Sequence, residues 1–62
     1  MGEYVDGKHD GDYAAVMMLP KSQVVSVDLF DRTLDNFTSI SFTKEQALEL
    51  AAIILDEASR LD

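Results

Sequence analysis

The groups best able to do chemistry crowd into one stretch near the N-terminus, Asp6-Gly7-Lys8-His9-Asp10-Gly11-Asp12. Carboxylates at alternate positions, with a glycine at the sharp bend, are what a calcium loop requires, because a hard cation takes several oxygens from a tightly turned chain. The pattern breaks at its decisive positions. Lys8 stands at the third ligand place, and Met17 stands where a bidentate Glu closes such a site. The stretch therefore reads as a solvated acidic loop. His9 is the only imidazole, and there is no cysteine, so a zinc site would need carboxylates from elsewhere in the chain. A general base needs a positioned nucleophile and a pocket. Ser22, Ser26, Ser39, Ser41 and Ser59 are expected to have neither a nucleophile elbow nor a Ser-x-x-Lys context, and no Gly-rich phosphate cradle is present.

These residues predict a non-enzymatic protein with no catalytic residue, cofactor or metal. A cleft of ordinary ligand-site volume scarcely fits within 62 residues. The charge narrows the choice further. Twelve acids against five bases give a net charge of −7, so no basic groove can track a nucleic-acid backbone and no basic face can hold an anionic membrane. The hydrophobic fraction of 47% is that of a folded domain and not of a disordered acidic tail. The longest apolar runs, Ala14–Leu19 and Leu50–Leu55, fall far short of the ~20 residues that span a bilayer. Met1–Asp6 has neither the basic segment nor the apolar core of a secretory signal. The expectation is a small, acidic, cytoplasmic protein that contacts neither nucleic acid nor membrane directly.

The elements that must position these side chains follow from turn residues and periodicity. Residues 1–62 are expected to form a single small domain of three parts. Residues 1–12 hold all three glycines and read as an acidic Gly-rich loop, with Tyr4-Val5 able to add a fourth strand at the sheet edge. Residues 13–43 read as a β-meander. Its first strand, Tyr13–Leu19, is apolar on both parities and stops at Pro20, which cannot donate to a ladder. Gln23–Phe30 alternates, with Val25, Val27 and Leu29 on one face and Val24, Ser26, Asp28 and Phe30 on the other. Phe37–Thr43 alternates too, setting Ile40 and Phe42 against Ser39 and Ser41. Loops this short predict antiparallel pairing.

Residues 44–61 predict a helix. Thr43 and Gln46 have the spacing of a capping box, and no Gly or Pro interrupts the run. Ala47, Leu50, Ala51, Ile54, Leu55, Ala58 and Leu61 fall on one stripe, and Glu45, Glu49, Asp56 and Arg60 fall opposite. Ile53 lies within the polar face. The predicted fold is α+β: a three-stranded antiparallel meander with one C-terminal helix packed across a single sheet face (βββα).

That packing leaves two places for a partner. The second sheet face would carry Val24, Phe30 and Phe37 as apolar anchors. The helix would carry Ile53 as an anchor, with Glu49, Glu57 and Arg60 as its charged rim. A chain this short buries only about 60% of its unfolded surface, and without disulfides it needs reinforcement from association. Homodimerisation and capture of a protein partner are therefore the expected mode of action. The alternative is a nucleic-acid mimic, whose row of helix carboxylates occupies the DNA- or RNA-binding groove of another protein.

The stretch Ile40-Ser-Phe-Thr-Lys-Glu-Gln-Ala-Leu-Glu-Leu-Ala-Ala-Ile-Ile-Leu-Asp-Glu-Ala58 resembles the ending of short uncharacterised phage and prophage proteins, in which a strand leads through Thr-x-Glu-Gln-Ala into an Ala/Leu-rich helix. The resemblance covers residues 40–58. It implies an inhibitor directed at a host or defence protein, with no catalytic residue to carry over.

Overall fold

The computed structural model describes residues 2–62, which form a four-stranded antiparallel sheet followed by one helix. Strands β1 (Gly2–Asp6), β2 (Tyr13–Leu19), β3 (Val24–Asp31) and β4 (Asn36–Phe42) lie side by side in chain order, and helix α1 (Lys44–Ser59) comes last. The class is α+β, but the strands number four and not three. Tyr4-Val5 belongs to a full edge strand, paired with β2 from Gly2↔Met17 to Asp6↔Tyr13. Residues 2–12 are thus not a single loop; only 7–12 connects two strands, closed by the Gly7 N–H donating to the Asp12 carbonyl at 2.8 Å, and Met1 lies outside the described residues. Gly-Glu-Tyr-Val-Asp has only two good strand formers. What orders it is the ladder offered by β2, which local propensity does not register.

The other two connections share one construction. In Pro20–Gln23 and in Arg32–Asp35 the fourth N–H returns to the first carbonyl, at 3.3 and 3.2 Å, and the fourth residue takes a positive φ, 56° at Gln23 and 50° at Asp35. That left-handed residue re-aims the chain into the next strand. The Gln23 side chain donates to the Pro20 carbonyl, and the Asp31 carboxylate accepts the Leu34 N–H, so side chains hold both turns closed.

Register then fixes the faces. The pairs Val16↔Val27↔Ile40 and Val25↔Phe42 put the apolar parities of β2, β3 and β4 together on a first face. The pairs Tyr13↔Phe30↔Phe37, Asp28↔Ser39 and Ser26↔Ser41 make the second face. This partition is the one the alternation predicts.

The helix starts where expected but ends at Ser59, two residues short of Leu61, with Arg60 as its C-cap, and it departs from expectation further in its packing. Thr43 Oγ accepts the Gln46 N–H at 3.2 Å and the Gln46 side chain accepts the Thr43 N–H at 3.1 Å, a complete capping box. Opening it with Thr43→Ala should cost about 1 kcal/mol in chemical denaturation, because the Gln46 N–H loses its acceptor. Beyond the cap, α1 does not lie across a sheet face. Only β3 and β4 come close to it, and of its stripe only Ala47 and Leu50 are even half-buried. Residues 51–62 are exposed, with Leu55 at 70%. The cause is the connection. One residue, Thr43, separates β4 from α1, and the capping box fixes it at φ −66°, ψ 166°. Strand–helix reversals ordinarily take a loop of several residues, so this helix leaves the end of the sheet without folding back.

The molecule is consequently open. No described side chain is buried, and the radius of gyration is 12.8 Å where about 11 Å suits a compact domain of this length.

Candidate functional site

The residues that sequence reasoning selected do not converge on one site. Phe30 and Phe37 face each other across β3 and β4, and they extend an aromatic row. Tyr13 packs on Phe30 with ring centroids 5.4 Å apart, and Tyr4 meets Tyr13 edge-on at 6.3 Å. Phe37 is well exposed at the end of this row. Val24 lies on the same face at the opposite end of β3, about 20 Å away along the strand. There it lines a shallow hollow with Leu19, Ala47 and Leu48. Between the two ends the face is polar on β3 and β4, where the Asp28 carboxylate accepts from both Ser26 and Ser39 hydroxyls and the two hydroxyls lie 3.1 Å apart. On these two strands the network separates an aromatic end from an aliphatic end, while Ala15 and Met17 of β2 keep the face apolar beside it.

On the helix, Ile53 borders a depression with Phe42, Gln46, Glu49 and Leu50. At 60% exposure it is no more stranded than Ile54 at 59%, so the distinction drawn between them from the helical wheel is lost once the stripe stays uncovered. Arg60 pairs with Asp56 at 3.0 Å and lies 4.0 Å from Glu57, which ties two carboxylates of the acidic face to a cation. These pairs are solvent-exposed and contribute little stability.

The surface that sequence reasoning missed is the first sheet face. Assigned to the helix as core, it lies open instead, with Val5, Val16, Met18, Leu29 and Ile40 all exposed; its two central strands contribute only Ala14, Val16, Met18, Val25, Val27 and Leu29, and Glu3 of β1 is a charge at its edge. The signal that could have found it is the single residue between Phe42 and Lys44.

The acidic loop is tied down structurally. The Asp12 carboxylate accepts the Arg32 N–H at 2.9 Å, and Asp10 pairs with the Arg32 guanidinium at 3.3 Å. These contacts bring the 7–12 loop onto the β3–β4 turn. Gly11, at φ 88°, lies so near Arg32 that a Cβ there would collide with its side chain. Among the described residues no three of His, Asp and Glu are grouped to hold a metal ion.

Contrary to the expectation that no serine has a Ser-x-x-Lys context, Ser41-Phe-Thr-Lys44 has that spacing. Such a spacing aligns two side chains when both sit on a helix. Here Ser41 is on β4 and Lys44 opens α1, and no hydrogen bond joins them. No helix among the described residues is long and apolar enough to cross a membrane. Compared with protein-family models, curated proteins and solved structures, the chain matches nothing.

Proposed function

We propose that this chain is a non-catalytic protein–protein interaction module that works as a homodimer and acts by occluding a surface of a protein partner. One observation carries the reading: two extended apolar surfaces, the first sheet face and the outer stripe of α1, stand open on the same small chain. Contiguous apolar surface of this kind marks an association site. With the first face taken up by self-association, the partner-binding elements are the second face and the polar side of the helix. There the aromatic row ending at Phe30 and Phe37 supplies rigid anchors. Ile53, flanked by Glu49, Glu57 and Arg60, supplies a second patch with a charged rim. Exposed aromatic residues beside polar groups are the usual makings of a recognition surface.

The resemblance of residues 40–58 to short phage and prophage proteins supports a host or defence protein as the target, and hence an inhibitory role in the cytoplasm. The rival reading, a mimic of nucleic acid, draws less support, because Arg60 neutralises part of the carboxylate row it needs.

Affinity capture from a host lysate, repeated with Phe37→Ser and with the triple change of Glu45, Glu49 and Glu57 to Gln, separates the two. The occluding module predicts a captured protein that Phe37→Ser releases. Release by the triple change alone, with competition by DNA or RNA, would make the protein a mimic.

A further inference from the structure

We propose that the first sheet face of each chain is covered by α1 of a second copy, the two helices being exchanged about a twofold axis. The inference rests on the homodimeric reading above and specifies its architecture. Four observations lead to it.

The first is area. The chain exposes 5533 Å², whereas a folded protein of 6.9 kDa exposes about 4,000 Å². The excess of about 1,500 Å² per chain would, if removed from both copies, make a contact of about 3,000 Å². That is the size of an obligate homodimer interface and well above that of a transient encounter.

The second is shape. A helix of 16 residues is about 24 Å long, and strands of 7 or 8 residues run for about the same distance, so α1 matches the sheet face in length. Ala51 and Ala58 lie near the middle of the stripe and permit close approach to the strands. Ile54 and Leu55 beside them supply the apolar volume.

The third is charge. Two copies with a net charge of −7 repel at long range. The helix nevertheless carries Glu45, Glu49 and Asp56 opposite its stripe, so docking by the stripe leaves those carboxylates in water.

The fourth is the connection. Thr43 is the whole link, held extended by the capping box, and α1 touches the end of its own sheet only through its first two turns, leaving residues 51–59 uncovered. A short hinge that cannot close within one chain is the usual origin of an exchanged element. The same pairing of helix stripe with sheet face then forms between copies.

Two measurements test this. In the first, a flexible Gly/Ser linker of about six residues is inserted between Phe42 and Thr43, which leaves the capping box whole and lets the helix fold back. Sedimentation should show the parent chain as a dimer and the variant as a monomer, with helical circular dichroism retained. In the second, Ile54→Cys and Val27→Cys are placed on separate chains of this cysteine-free protein and refolded together with a short bis-maleimide. Cross-links should join the two kinds of chain. If the parent is a dimer but the linker variant stays dimeric, and cross-links join Ile54→Cys chains only to one another, then helix exchange is overturned while the homodimer stands. A parent chain that sediments as a folded monomer at high micromolar concentration overturns both.

Discussion

Val27→Asp should abolish the folded dimer, while Ser41→Asp, on an adjacent strand and the opposite face, should leave it largely intact. Val27 sits at the centre of the first face, between Val16 and Ile40. In an isolated chain that face borders water, and a carboxylate there would cost little beyond lost strand propensity. Beneath a docked helix the same carboxylate is buried without a partner, and an unpaired buried charge costs about 3–5 kcal/mol. A small domain has little more than that to lose. The expected readout is loss of the dimer in sedimentation, together with loss of cooperative thermal unfolding. Ser41 pairs with Ser26 on the polar part of the second face, where a further carboxylate remains hydrated. Equal tolerance of both substitutions would show that the first face stays in water.

The second large effect is a dependence of stability on concentration. When folding and association are one event, each tenfold dilution removes about 1.4 kcal/mol of apparent stability from the dimer. For two chains of this length the unfolding entropy converts this to a fall of about 5 °C in Tm. Melting curves over a hundredfold range of protein concentration should therefore shift by about 10 °C. A monomeric domain of the same fold would melt at one temperature throughout. The expected shift is large because no described residue is buried within a single chain, so the chain alone has almost no core to contribute.

Much of the local structure is legible without coordinates. The alternation in residues 23–30 and 37–43 predicts both the strands and the division of their faces, because side-chain direction in a strand is set by parity alone. The register agrees, with Val27 opposite Ile40 and Asp28 opposite Ser39. The helix start is equally readable, since a capping box is a contact between residues three apart and owes nothing to the rest of the fold. The edge strand Gly2–Asp6 is harder to read, because its order derives from hydrogen bonds to β2 and not from its own residues. Of the site residues, Phe30 and Phe37 do share one face, as parity requires. Their link through Tyr13 to Tyr4 depends on the pairing of β1, which parity within β3 and β4 does not report.

The sequence by itself thus determined the class of fold, the strand faces, the cap and the acidic, cysteine-free surface, all of which depend on neighbours within a few residues. Only the tertiary structure decided where the helix goes. An amphipathic stripe records that a helix must bury one side, but not against which surface, since apolar attraction has no direction of its own. That choice falls to the geometry of the one residue joining β4 to α1. Fixed in an extended conformation by its own capping box, Thr43 carries the helix off the sheet and leaves both apolar surfaces facing outward.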